Sequence, residues 1–302
     1  MENESEAERA FTTKCRAGDV AACRSLLLLL AKRQDRAREA ELTLIKVVAQ
    51  SADAGDIELL ASQLASLANF RLAEQAYRGA IAKGRNDSRF QLALLLLAQP
   101  DRRREADPLI AECIASATGD ELNNFAGALA KEGGWDQLAE LFFRAAIRAG
   151  CNYACFNLAN LLSRQQRFQE AEQEYMAAIA AGLVTAYNNY GNLLCSQSGR
   201  EAEAEQAFLK AIAAGENKAF KNLGNLLARR AGRESDAEKA YRSAIQNGNE
   251  NAQIGLWQLL KRQPGRERES QELFEKVKQF LNVPEELVDF LSSTNGGDVD
   301  PR

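Results

Sequence analysis

The sequence contains no histidine, and this absence removes a large part of enzyme chemistry. Ser-His-Asp and Cys-His nucleophiles, histidine general bases and zinc sites with a histidine ligand all need that residue. No phosphate-binding glycine loop and no spaced carboxylate pair stands out among the 302 residues. We therefore predict a protein that is not an enzyme and that uses no cofactor and no metal ion.

Proline and long apolar runs are also scarce. The chain has 5 prolines and 20 glycines, and 46% of its residues are hydrophobic, which is typical of an ordered protein. The longest aliphatic run, residues 26–30, is far below the roughly 20 apolar residues that cross a bilayer. The acidic start, residues 1–8, is unlike a signal peptide. We expect no membrane contact and a cytoplasmic location.

Cysteine is present without any CxxC pair that would indicate a metal or redox motif. We interpret the cysteines as small buried hydrophobic residues of a reducing compartment. There are six of them: Cys15, Cys23, Cys113, Cys151, Cys155 and Cys195.

A unit of 33 residues recurs along the chain. A large apolar residue follows four positions after a small marker residue, and in six copies a glycine follows eleven positions after it. These spacings predict one helix face that ends in a left-handed glycine cap. All steps between markers are 33 except one of 32, and the markers are Ala7, Ala40, Ala73, Ala106, Ala139, Ala171, Ala204, Ala237 and Ser270.

A second helical pattern lies between these helices, most clearly at residues 154–162, 186–194 and 219–227. Weaker versions bring the number to eight. We call these the first helices of the unit and the helices with the markers the second helices. Neither can bury its apolar face alone, so consecutive hairpins must stack. The length of the chain therefore indicates an elongated stack, not two ordinary domains.

These patterns resemble the tetratricopeptide repeat family. The first helices carry Tyr187, Tyr190, Gly191 and Leu194, and the second helices carry a small-aromatic-small trio such as Ala204, Phe208 and Ala211. The ending Ala-Ile-x-x-Gly also resembles Sel1-like repeats. The resemblance implies an all-α, right-handed α-solenoid of about eight antiparallel helical hairpins.

The expected organisation is a repeat solenoid over residues 1–283, a capping helix at 284–293 and a disordered tail at 294–302. The solenoid would open with a second helix that lacks its partner. This opening indicates either a fragment of a longer protein or a true end covered by the first six residues.

Candidate binding residues lie on the first helices, which line the concave face in the family. Asparagine amides both donate and accept hydrogen bonds, so a row of them suits the backbone of an extended peptide. The alternative is that these asparagines satisfy one another. A clamp for a terminal carboxylate is poorly matched, since only two residues fit it. The polar candidates are Asn157, Asn160, Asn188, Asn189, Asn192, Lys221, Asn222, Asn225 and Arg229, and the aromatic Phe156 lies on the same stripe.

The amino-terminal half places apolar residues on the equivalent stripe, which predicts an exposed apolar part of the groove. The alternative is that these residues belong to the core. The candidates are Leu27, Leu59, Leu92, Leu95 and Phe125, with Leu30 beside them.

Basic residues cluster in the turns inside the hairpins, which could form a rim for nucleic acid. Cations at helix ends followed by acidic residues also suit the helix dipoles, and the net charge is only -4. We do not expect a nucleic-acid partner.

Two functional hypotheses follow. The first is a non-catalytic scaffold or adaptor that binds a peptide or a partner protein in its concave groove. The second is a regulatory or structural segment of a larger protein, which packs on an effector domain or self-associates.

Overall fold

The computed structural model describes residues 6–281, with side chains to residue 278. This part of the chain forms 17 α-helices and no strand, and none of its helices is long and apolar enough to cross a bilayer. It divides into two compact units, Met1–Phe125 and Ala126–Arg302. The capping helix and the tail expected at 284–293 and 294–302 lie outside the described residues.

First and second helices alternate along the chain as predicted. One second helix, α1, opens the series, and eight hairpins follow it. The first helices are α2 (Val20–Leu30), α4 (Ala54–Ser66), α6 (Ser88–Leu97), α8 (Gly119–Glu132), α10 (Tyr153–Arg164), α12 (Ala186–Cys195), α14 (Lys218–Ala228) and α16 (Ala252–Lys261). The second helices are α1 (Glu6–Arg16), α3 (Ala37–Gln50), α5 (Phe70–Ala82), α7 (Arg103–Ser116), α9 (Asp136–Arg148), α11 (Phe168–Ala180), α13 (Glu201–Ala213), α15 (Glu234–Gln246) and α17 (Glu267–Leu281).

The marker residues form the most buried positions of the second helices. The seven alanines from Ala40 to Ala237 have no exposed surface, whereas Ala7 at the start is exposed. The large residue four positions later is also buried in most copies, as with Phe143 and Phe208. A small side chain here lets the neighbouring first helix approach, and the large one fills the space between helices.

Each second helix whose sequence offers a glycine eleven positions after the marker ends on it. The φ angles of these glycines lie between 84° and 95°, in the left-handed region. That region costs a residue with a side chain about 1–2 kcal/mol. The predicted caps are therefore confirmed at Gly18, Gly84, Gly150, Gly182, Gly215 and Gly248.

The arginine before each of six second helices binds two carboxylates. Arg200, for example, donates to Glu203 on its own helix and to Glu172 on the preceding second helix, with an Nη1 to Oε2 distance of 2.6 Å to Glu172. We call this arrangement the arginine rung. It neutralises much of the positive charge of the turns. The rung arginines are Arg36, Arg102, Arg167, Arg200, Arg233 and Arg266.

The interpretation of all six cysteines as small buried hydrophobic residues is wrong for two of them. Cys15 of α1 and Cys23 of α2 form a disulfide, with their Cα atoms 4.7 Å apart. The glycine-capped turn brings residues eight positions apart face to face across the two helices, which sequence spacing alone did not reveal. Cys113 and Cys155 are free and buried, and burial raises their pKa to about 12 and about 11.

Candidate functional site

The polar candidates lie on three consecutive first helices of the second unit. Asn160 is on α10, Asn192 on α12 and Asn225 on α14, each at the same position of its repeat. A second set of asparagines lies three residues earlier, one helical turn away on the same face. This set consists of Asn157, Asn189 and Asn222.

Two of these earlier asparagines, Asn189 and Asn222, bind an asparagine of the preceding first helix. The Asn222 amide nitrogen donates to Asn188 Oδ1 (2.9 Å), and Asn188 donates to Asn189 Oδ1 (3.2 Å). Asn189 in turn donates to Asn160 Oδ1 (2.8 Å). For these residues the structure therefore shows the mutual satisfaction that was the alternative to a free ladder.

The later asparagines differ in whether a tyrosine reaches them. Tyr175 of α11 donates its hydroxyl hydrogen to Asn160 Oδ1 (2.7 Å), and Tyr241 of α15 donates to Asn225 Oδ1 (2.8 Å). The equivalent residue for Asn192 is Phe208, which has no hydroxyl. Asn192 is exposed, and its amide has no hydrogen bond to any residue in the described range 6–281.

Two glycines let the Tyr241 ring pass between neighbouring first helices. A Cβ added at Gly224 of α14 would lie 2.7 Å from the ring, and one at Gly255 of α16 would lie 2.5 Å from it. Gly255 stands where the sequence pattern offered an asparagine. The ring that reaches Asn225 therefore occupies the space that an asparagine side chain there would need.

A cavity of about 510 Å³ lies beside Asn192 within the second unit. Asn225 and Arg229 border it from α14, and Phe208 forms part of its apolar wall. Its other lining residues are Cys195, Gly199, Glu201, Ala202, Asn222, Leu226 and Arg230. Four of the polar candidates thus surround one space that can hold a segment of chain.

No family model matches this sequence, and no curated protein is similar to it. Among solved structures, pilF from Pseudomonas aeruginosa is 18% identical, with a TM-score of 0.50 over 69% of this chain and 97% of that chain. A Sel1 repeat protein from Oxalobacter formigenes (17% identity, TM-score 0.43) covers 73% of this chain and 98% of its own. A TPR repeat-containing protein from Cytophaga hutchinsonii is 15% identical with a TM-score of 0.45, and the match covers 77% of this chain and 99% of that chain.

This chain has the tetratricopeptide-type repeat fold. The predicted fold class is thereby confirmed. At these identities the likeness describes the fold, and no partner follows from it.

The repeat fold places Phe156 in an aromatic cluster beside the amides. Its ring centroid lies 5.5 Å from that of Tyr153 and 6.3 Å from that of Tyr175. Phe156 and Lys221 are both half-buried, and Arg229 is exposed at the end of α14. Sequence reasoning missed Tyr175 and Tyr241, although the tyrosine-phenylalanine alternation four positions after the marker was visible.

The expected exposed apolar stripe of the first unit is wrong for three of its five residues. Leu27, Leu92 and Leu95 are at most 7% exposed and belong to the core, as does Leu30. Their helices, α2 and α6, pack against the second helices before and after them. Leu59 is 58% exposed, and the half-buried Phe125 ring lies 3.9 Å from that of Phe90.

Among the described residues, no three cysteine, aspartate or glutamate side chains are placed so that they could hold a metal ion.

Proposed function

We propose that this protein is a non-catalytic interaction module whose second unit binds an extended peptide along α10, α12 and α14. One observation carries the proposal: the unpaired amide of Asn192 lies beside a cavity of about 510 Å³ between paired asparagines. An exposed amide offers a peptide backbone both a donor and an acceptor. The concave groove expected from the family is the natural path for such a peptide.

The neighbouring asparagines support this arrangement in a different way. Asn160 and Asn225 are held by tyrosines through their Oδ1 atoms, so their amide nitrogens are fixed in orientation. Pre-oriented donors lose less entropy when a ligand binds. The hydrogen-bonded row therefore serves as a rigid frame around Asn192.

A random peptide library selected on the intact protein tests the proposal. We expect enriched peptides whose affinity falls about fivefold in Asn192→Ala, because one net hydrogen bond is worth about 1 kcal/mol. Phe208→Tyr should weaken binding similarly, since the added hydroxyl would donate to Asn192 as Tyr175 does to Asn160. Fluorescence anisotropy measures both.

Asn152→Ala is the matched control, because Asn152 is exposed and makes no side-chain cap hydrogen bond at the start of α10. Its affinity should equal that of the wild type. Failure to enrich any peptide, or equal losses in Asn152→Ala and Asn192→Ala, would contradict the proposal.

The second hypothesis, packing on an effector domain or self-association, has its own support. Met176 of α11 is 56% exposed and Leu209 of α13 is 43% exposed, at the same position of consecutive repeats. Exposed apolar residues that recur on one face favour a protein contact. Light scattering after size-exclusion chromatography distinguishes the hypotheses: a dimer that Met176→Ser and Leu209→Ser dissolve supports self-association, and a monomer opposes it.

The disulfide changes what we propose about location. Structural disulfides are rare in the cytosol, so the Cys15–Cys23 bond favours an oxidising compartment over the cytoplasmic location expected from the sequence. Thiol labelling of the protein in freshly lysed native cells tests this point. If both cysteines are labelled without reductant, their thiols are free in the cell, and the cytoplasmic location is favoured instead.

A further inference from the structure

The arginines of the second unit fall into two groups. The rung arginines, such as Arg200, each bind two carboxylates. Arg229 and Arg262, which follow α14 and α16, are exposed and form no ion pair within residues 6–281. Arg164 at the end of α10 is also exposed, and its one hydrogen bond within the described part of the chain goes to the carbonyl oxygen of Ala130 (3.0 Å).

These three arginines occupy one position of the repeat, four residues after the amide position of Asn160, Asn225 and Gln258. In α12 the same position holds Ser196. Residues four apart lie on one helix face. The arginines therefore form a row beside the amides, and we call it the cation row: Arg164, Arg229 and Arg262.

Tyr241 lies between the helices of two cation-row arginines and also binds the amide row. Its ring lies between α14 and α16, and its hydroxyl donates to Asn225. Burial raises the pKa of Tyr241 to about 12, and the charges of Arg229 and Arg262 oppose that rise. The Tyr241 ring thus lies between the two first helices that end at Arg229 and Arg262.

The acidic residues near this place do not neutralise the row. Glu201 lines the cavity, where hydrogen bonds from its own backbone nitrogen and from that of Gly199 lower its pKa. Glu205 binds the other arginines of the turn, Arg230 and Arg233. Arg229 therefore brings a charge to the cavity that no residue between positions 6 and 281 pairs.

We propose that the bound peptide is acidic and that its carboxylates pair with the cation row while its backbone meets the amides. This inference rests on the proposed function. Packed helices lie about 8–10 Å apart, which sets the separation of Arg229 and Arg262. A polyproline II-like peptide places side chains three residues apart on one face at about 9 Å, so carboxylates at every third residue match the row.

An acidic peptide suits the site better than a nucleic acid does. The net charge of the chain is -4, which opposes a long polyanion, whereas two or three exposed arginines suit isolated carboxylates. The amides beside the row match peptide groups.

Three synthetic peptides of equal length test the inference by fluorescence anisotropy: one with glutamate at every third residue, its glutamine counterpart, and one with glutamate at every second residue. We expect the first to bind about tenfold tighter than the glutamine peptide at low salt, because exposed charge pairs contribute up to about 1 kcal/mol each. Arg229→Gln and Arg262→Gln should each weaken the first peptide about three- to fivefold.

Arg148→Gln is the matched control, since Arg148 is an exposed arginine at the end of α9 and forms no ion pair with any other described residue. It should leave the affinity unchanged. Equal binding of the glutamate and glutamine peptides, with Asn192→Ala weakening both, would overturn the acidic partner and keep the peptide site. Binding of neither peptide would overturn both proposals, and tighter binding of a single-stranded oligonucleotide would assign the row to nucleic acid instead.

Discussion

At the scale of single residues, one hydroxyl group decides which asparagine is available. Tyr175 and Tyr241 donate hydrogen bonds to the oxygen atoms of Asn160 and Asn225, whereas Asn192 faces Phe208 in its repeat and has no side-chain partner among the described residues. The three asparagines are identical in sequence position, yet their chemistry differs because of a residue on another helix. The availability of an amide is therefore set by its packing partner.

Gly255→Ala tests the passage of the Tyr241 ring. The new methyl group would lie 2.5 Å from Cε1 and 2.9 Å from the hydroxyl oxygen of Tyr241, so the ring would have to move. We expect a loss of about 1–3 kcal/mol, which is typical of an overpacked core. The midpoint of urea unfolding, followed by circular dichroism, measures it.

Gly127→Ala in α8 is the matched control, because no atom lies within 4 Å of the added carbon. Its better helix propensity should raise stability by up to about 1 kcal/mol. The same unfolding midpoint in both variants would mean that Tyr241 does not fill this space.

At the scale of helices, the turn inside six of the eight hairpins has a left-handed residue five positions before the marker, whereas the turns before α3 and α7 contain a short 3-10 helix instead. Glycine supplies it in several repeats, as with Gly199, Gly232 and Gly265. Ala68 and Gln166 supply it with φ angles of 56° and 60°. A residue with a side chain is strained in this region, so the backbone of these two turns has a conformational free-energy cost that the glycine turns lack.

Gln166→Gly should therefore stabilise the protein. We expect a gain of about 0.5–1 kcal/mol, since glycine adopts the left-handed region without the clash but loses more entropy on folding. Gln169→Gly, an exposed site inside α11, should instead cost about 1 kcal/mol. Thermal melts of both variants check the contrast, and losses of the same size in both would show that residue 166 is not strained.

At the scale of the whole molecule, the arginine rungs join consecutive second helices within each unit. Hydrogen bonds from the rung arginines are the largest cause that lowers the pKa of their carboxylate partners below the ordinary value of 4.5, despite burial. These partners are Glu74, Glu140, Glu172 and Glu238. Because these pKa values are lower in the folded state, the carboxylates stabilise it above pH 4.5, and the stabilisation is lost as pH falls below that value.

The melting temperature should therefore stay level from neutral pH down to about pH 5 and fall below about pH 4.5. Arg200→Gln should cost about 1 kcal/mol at neutral pH and should reduce the further loss in acid, because its partners Glu172 and Glu203 are already unpaired. Arg148→Gln should change neutral stability by less than about 0.5 kcal/mol. An acid transition of unchanged size in Arg200→Gln would contradict this role for the rung.

The sequence by itself determined the repeat, the helix types and the buried positions. The marker alanines and the glycine caps could be identified from the sequence. The markers recur every 33 residues, and the positive φ angle at a helix cap favours glycine. The same patterns identified the asparagines of the candidate site. Local conformational preferences and burial act on each repeat separately, so each repeat shows them in its own residue types.

Only the tertiary structure decided which candidates are free. In the structure Leu27, Leu92 and Leu95 lie in the core, and Cys15 forms a disulfide with Cys23. It also separated the unpaired Arg229 from the paired Arg200. Each of these outcomes depends on a neighbour from another helix, which the connecting turns and the stacking of hairpins bring within contact distance.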